Sequence, residues 1–223
     1  MYEQKPLAVY TLIIVNAIVW LTINLLFTTQ TALSAFLLTF GVVPIYLLNG
    51  QNLFSLLSYM FVHVDFLHIF LNMFSLFLFG RDVEEYLGTK KFLAVYFFSG
   101  IIAALFHIFY FVTFLSLTCS PYMRPIPVTC LIPSIGASGA IFGIMGSYLI
   151  FFPTRRLAAF LYFIPVIAPA YVIIIGFILI QTFFMLTTPF STIAYTAHVG
   201  GFVAGLIASI PFRKRRPEWM LYS

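Results

Sequence analysis

Charge is what this 223-residue chain has least of: only 8% of its residues are Asp, Glu, Lys or Arg, against 62% hydrophobic. Soluble domains carry about 25% charged residues, and no soluble core of this length could bury so much apolar surface. Strict alternation of polarity is also missing. A β-barrel would need segments of ~10 residues alternating in and out, and the apolar runs here are long and unbroken. The first of them, after Met1-Tyr-Glu-Gln-Lys-Pro6, has no small-residue cleavage site and reads as a first span rather than a secretory signal peptide. The His-Glu-x-x-His pattern of zinc peptidases is absent, His63 and His68 stand five apart, and no carboxylate sits placed as a zinc-activated base. No cofactor and no metal is expected. The net charge of +5 sits in short clusters between apolar runs, the pattern of topology signals, and does not point to nucleic acid.

What is there is a set of apolar runs near the ~20 residues that cross a bilayer as a helix. Spans are expected near residues 7–28, 67–80, 92–117, 138–152, 168–187 and 197–211, with the stretch 53–64 leading into the second. The apolar stretch 34–48 is interrupted by Gly41 and Pro44 and reads as an interfacial excursion. Charge supports that choice. With six spans and a cytoplasmic N-terminus, Lys5, Arg81, Lys90, Lys91, Arg155, Arg156, Arg213, Lys214, Arg215 and Arg216 face the cytoplasm, and only Arg124 faces outside. Counting 34–48 as a span would destroy this asymmetry. The basic tail 213–216 also favours anionic lipid headgroups. The lipid bilayer is therefore the first partner, with both termini cytoplasmic and the plasma membrane as the expected location.

The same topology gathers chemistry. Spans two, four and six run from outside to inside. Ser138 then opens span four, His198 opens span six, and His68 and Asn72 lie in the first turns of span two. Polar groups at membrane depth are expensive and mark function. Ser138 lies in Gly136-Ala-Ser-Gly139-Ala-Ile-Phe142-Gly143, His198 in Ala197-His-Val-Gly-Gly201. A serine hydroxyl becomes a nucleophile when a histidine takes its proton. Of the acids, Glu3, Asp82, Glu84, Glu85 and Glu218 fall on the cytoplasmic side, and Asp65 belongs to the outer loop. A serine–histidine dyad, not a triad, is expected. His198 must then be held by packing, with the Phe142 ring one turn beyond Ser138 a candidate. His68 and Asn72, four apart, share a helical face and offer N–H donors for an oxyanion, joined by the unpaired Ser138 N–H at a helix start. His63 fits a structural hydrogen bond in the outer loop, and His107 a structural role in span three. Gly139, Gly143 and Ser147, with Ala197, Gly201 and Gly205, form small-residue faces that let spans four and six approach closely.

These residues together resemble the rhomboid family of intramembrane serine proteases. The carriers are Gly136-Ala-Ser138-Gly139, Ala197-His198 with Gly201 and Gly205, and His63, His68 and Asn72. Gly80-Arg-Asp-Val-Glu84-Glu-Tyr-Leu-Gly88 looks like the cytoplasmic turn after the family's second span. The resemblance covers about residues 40–211. It implies one membrane domain over 1–223, all-α and polytopic, six helices with a partly membrane-inserted first outer loop, and a water-filled cavity opening outward. It implies an endopeptidase that cuts transmembrane proteins near their outer ends. Ser138 would be nucleophile, His198 base, and His68, Asn72 and the Ser138 N–H the oxyanion donors; Gly136, Gly139, Phe142, Gly201 and His63 would support them.

The chain departs from the family in places. Asn49-Gly-Gln-Asn-Leu-Phe54 stands where a Trp-Arg pair is common, and Phe142 where many members have Tyr. The loop 118–135 carries Cys119 and Cys130 on the oxidising side, where a disulfide is chemically allowed, though spacing does not fix its geometry. Pro165 and Pro169 precede and open span five and are expected to weaken backbone hydrogen bonding there, in a region the family links to lateral substrate access. Two other functions compete: a non-catalytic rhomboid-like binder of transmembrane clients and a proton-coupled transporter. A pure binder has no need of a glycine-flanked Ser138 with His198, and a transporter would show an internal repeat or paired broken helices.

Overall fold

Small residues on two helices set how this bundle packs. A computed structural model describes residues 5–114, 119, 122, 125–161, 164–188, 191 and 193–213, without the side chains of 159–165. In it, α8 (Ser138–Phe151) and α10 (Tyr195–Ser209) touch almost backbone to backbone. A Cβ built on Gly205 would lie 2.0 Å from the Gly143 carbonyl oxygen, and one on Gly201 2.0 Å from that of Gly139. Deeper along the same seam the Ser209 hydroxyl donates to Ser147 Oγ at 2.7 Å. Around this pair stand α1 (Leu7–Leu26), α5 (Phe66–Ser75) continuing through a π-helical turn (Leu76–Gly80) into α6 (Arg81–Leu87), α7 (Thr89–Phe114) and α9 (Ala170–Thr187). The second span is thus one helical run, Phe66–Leu87.

Among the described residues five helices are long and apolar enough to cross a membrane: Leu7–Leu26, Phe66–Leu87, Thr89–Phe114, Ala170–Thr187 and Tyr195–Phe212. With α8 they make an all-α polytopic membrane protein. At 14 residues, α8 is about 21 Å long, short of the ~30 Å hydrocarbon core. Its residues from Gly139 to Tyr148 are buried, so it meets protein rather than lipid and need not match that thickness. The outer helices do the reverse: α1 exposes Ile14, Ile18, Leu21 and Leu25, and α9 exposes Leu179, Ile180, Phe183 and Leu186.

The stretch after α1 holds α2 (Gln30–Phe40) and α3 (Pro44–Leu48), separated at Gly41 and neither long enough to span. Thr29 caps α2 by accepting from the Ala32 N–H, and Pro44 starts α3 at the position where its missing N–H costs nothing. Val42 and Ser134 exchange two backbone hydrogen bonds, of 2.9 and 2.8 Å, which tie this excursion to the loop entering α8. Cys119 and Cys130 form a disulfide in that loop, and Cys130 is buried against Val43 and Ile45 of the excursion.

Several boundaries differ from the sequence reading. The second span gains its length after Gly80, not from 53–64, which forms the short α4 (Ser55–Ser58) and a 3₁₀ turn (Tyr59–Phe61). The expected turn 80–88 is therefore helix until Gly88, whose φ of 78° ends it. Buried Glu84 explains why a charged segment stays helical: its carboxylate accepts from the N–H groups of Ala8 and Val9, at 2.9 and 2.8 Å, and from the Thr89 hydroxyl. One side chain thus satisfies the open start of α1 and joins it to α6 and α7. Span five begins after an unforeseen hairpin, β1 (Arg156–Leu161) paired antiparallel with β2 (Ile164–Pro169). Pro165 lies in β2 and Pro169 at the cap of α9, so neither weakens the helix. His198 sits one turn inside α10, its N–H bonded to the Ala194 carbonyl, rather than opening it. Arg124, Lys214, Arg215, Arg216, Glu3 and Glu218 lie outside the described residues.

Candidate active site

Gly136 is where the site begins. Its φ of 109° lies in the region glycine favours, and a Cβ there would fall 2.5 Å from His68 Nε2. The turn is pinned on both sides: the Gly136 N–H donates to the Tyr59 carbonyl at 2.9 Å, and the Ala137 N–H to His63 Nε2 at 3.3 Å. His63 is fully buried in the segment before the second span. Burial, then the neighbouring His68 imidazole, lowers its pKa to about 3, which keeps it a neutral acceptor. The chain leaves this turn at Ser138, the first residue of α8, whose N–H has no partner within the helix.

Close packing of α8 against α10 brings Ser138 Oγ to 2.9 Å from His198 Nε2. The Phe142 ring lies flat against the His198 imidazole, centroids 4.4 Å apart and planes 10° apart. Phe177 of α9 stacks on the far face of Phe142 at 5.5 Å. His198 itself is only 9% exposed. The other ring nitrogen, Nδ1, lies 2.7 Å from the side-chain oxygen of Gln181, on α9. The sequence reading missed Gln181. A single amide in an apolar span is a polar group at depth, and that signal marked it.

His68 and Asn72 lie on the first turns of α5, where Asp65 caps the helix by accepting from the His68 N–H at 2.8 Å. Asn72 Nδ2 donates to the His68 carbonyl at 2.8 Å and keeps a second N–H. His107, on α7, bonds through Nδ1 to the Thr196 hydroxyl, two residues before His198, and packs on Phe111. A cavity of about 730 Å³ collects the set: Ser138, His198, His68, Asn72, Phe142, Gln181 and His107 all line it. Gly139 and Gly201 lie beneath, in the α8–α10 seam, and His63 behind the Gly136 turn.

The arrangement suits proton transfer from a hydroxyl. A neutral imidazole carries one N–H; with that proton on Nδ1 and given to Gln181, Nε2 is free to accept from Ser138. The described basic residues keep away from it. Arg155 and Arg156 follow the far end of α8 and Arg213 the far end of α10, and Lys5, Arg81, Lys90 and Lys91 lie on the same side, before α1, at the start of α6 and at the start of α7. There Arg155 pairs with Asp82 at 2.9 Å and Tyr148 donates to the same carboxylate.

Fold and site together define a helical integral membrane protein that encloses a serine–histidine pair in a cavity of its bundle. A family model described as the Rhomboid domain matches residues 50–215, and the chain belongs to that family. It is 28% identical over 153 residues to Rhomboid protein 1, mitochondrial, of Saccharomyces cerevisiae, covering 69% of this chain and 40% of that protein. It is 28% identical over 173 residues to Rhomboid protease GluP of Bacillus subtilis, covering 78% of this chain and 29% of that one. RHOMBOID-like protein 12, mitochondrial, of Arabidopsis thaliana is 28% identical over 169 residues, 75% of this chain and 49% of that protein. The matched segment spans less than half the length of each of these relatives.

Proposed function

We propose that this protein is an intramembrane serine endopeptidase that cleaves transmembrane proteins, with Ser138 as nucleophile and His198 as general base. The observation that carries this reading is the 2.9 Å approach of His198 Nε2 to Ser138 Oγ inside a membrane-embedded bundle. In the first step Ser138 Oγ bonds to the scissile carbonyl carbon as His198 Nε2 takes the hydroxyl proton. The carbonyl oxygen becomes an oxyanion, for which the Ser138 N–H, the second Asn72 N–H and His68 are the available donors. The C–N bond then breaks, and His198 returns the proton to the leaving amine. A water, deprotonated by the same imidazole, hydrolyses the acyl-serine and regenerates the enzyme.

Membership of the rhomboid family supports the reaction class, and the charge distribution supports an orientation. With the basic ends of the helices in the cytoplasm, the dyad lies toward the outer face of the plasma membrane and cuts substrates near their outer ends. The membrane domain is read as one unit over residues 1–223. The test is labelling with a fluorophosphonate probe, in which Ser138 Oγ displaces fluoride from phosphorus. Wild type in lipid bilayers is expected to label, and Ser138→Ala and His198→Ala to lose labelling while keeping their thermal unfolding transitions. A folded wild type that never labels would sink the reading in favour of a non-catalytic binder.

A further inference from the structure

We propose that Gln181 is the positioning residue for the dyad: its side-chain oxygen accepts from His198 Nδ1–H and fixes the imidazole in the tautomer whose Nε2 faces Ser138. The inference rests on the dyad reading above and extends it to a third group, supplied by a different helix.

The hydrogen-bonding capacity of the ring decides the matter. For Nε2 to accept from the Ser138 hydroxyl it must be bare, so the one proton of a neutral ring sits on Nδ1 and needs an acceptor. Gln181 Oε1 is there at 2.7 Å. The opposite tautomer would place a lone pair on Nδ1 and an N–H on Nε2, which leaves Ser138 without a base. No carboxylate among the described residues takes the position: Asp65 is engaged as the cap of α5, and Asp82, Glu84 and Glu85 belong to α6 at the other end of the second span. An amide also suits the location better than a carboxylate. Gln181 is 7% exposed, and an ionised acid buried at that depth would carry a far larger desolvation cost.

The helix that supplies Gln181 grips the base twice. Phe177 and Gln181 are four apart on α9, hence on one face. Phe177 holds Phe142, which covers the flat side of the imidazole, while Gln181 holds its edge. Packing alone fixes the plane of the ring; the Gln181 bond chooses which nitrogen bears the proton.

The full chain, labelled with ¹⁵N-histidine in lipid bilayers, separates this role from a structural one. The His198 signals are assigned by their loss in His198→Asn. Wild type is expected to show a protonated Nδ1 and a bare Nε2. Gln181→Leu should shift the ring toward the other tautomer and slow fluorophosphonate labelling about fivefold, the factor that one hydrogen bond's typical net contribution represents. Gln181→Glu, which restores an acceptor, should restore both the tautomer and the labelling. The proposal is overturned if Gln181→Leu keeps the wild-type tautomer, whether or not labelling slows, or if it labels at the wild-type rate. Should Gln181→Leu fail to fold, Gln181→Asn, too short to reach Nδ1, takes its place with the same expectations. A wild type that resists the probe yet shows the protonated Nδ1, lost in Gln181→Leu, would defeat the protease reading and leave the positioning role standing.

Discussion

Gly136 is the residue on which the position of Ser138 most depends. Its positive φ and the 2.5 Å gap that a Cβ would leave to His68 Nε2 are two separate demands, one from the backbone and one from a neighbour. Gly136→Ala is therefore expected to destabilise the fold by about 1–3 kcal/mol through strain. It should also displace His68 from the cavity, so that probe labelling falls more than stability does. Thermal unfolding and labelling rate, measured on the same sample, check this; equal losses in both would mean the turn serves folding only. The motif around Ser138 was readable because glycine before a serine at a membrane-helix start has few other uses. Ser138, His198, His68 and Asn72 were legible as polar residues that topology alone brings to one depth, and the cavity holds all four. Gln181 obeyed the same rule, but nothing in its neighbourhood in the chain carries a partner. Its meaning comes from His198, 17 residues away on α10.

The seam between α8 and α10 tests a different kind of dependence, in which helices rather than side chains are the parts that fit. Small residues every four positions announce close packing in lipid, and here the Cβ of any larger residue at Gly205 would have to displace the Gly143 carbonyl. Backbone cannot yield as a flexible side chain can. Gly205→Ala should cost about 1–3 kcal/mol or more by overpacking, and it should separate Ser138 from His198 at the far end of the same seam. Gly176, in the middle of α9, has nothing within 4 Å of the point where a Cβ would stand. Gly176→Ala should be neutral or stabilising by up to about 1 kcal/mol, since alanine is the better helix former. Unfolding in detergent of the two variants side by side checks the contrast, and similar midpoints would refute it. Existence and order of the spans were legible from hydropathy; their ends were not. Glu84 lets the second span run on past a charged stretch because its carboxylate oxygens meet the start of α1, a contact 75 residues distant. The pairing of β1 with β2 escaped because the apolar run lacks the alternation that marks a half-exposed strand pair.

Charge divides the protein along its long direction, and this gives the orientation a test independent of catalysis. Every described Lys and Arg lies at the end of the bundle remote from the dyad, while the disulfide of Cys119 and Cys130 lies at the dyad's end, in the loop that leads to α8. Two rules with unrelated causes then agree. Positive charge is retained on the cytoplasmic side during insertion, and disulfides persist on the oxidising side. An inverted molecule would break both at once. In intact cells, with Cys119 and Cys130 replaced by Ser, Tyr122→Cys should react with a membrane-impermeant maleimide. Glu85→Cys, on the exposed face of α6, should react only with a permeant one. In the wild type, the native pair should resist alkylation until a reductant is added. Reaction of Glu85→Cys with the impermeant reagent, and silence of Tyr122→Cys, would put the dyad toward the cytoplasm. On the proposed protease reading, substrates would then be cut at their inner ends, and the cavity would open to the reducing side, where the pair of cysteines has no reason to stay joined.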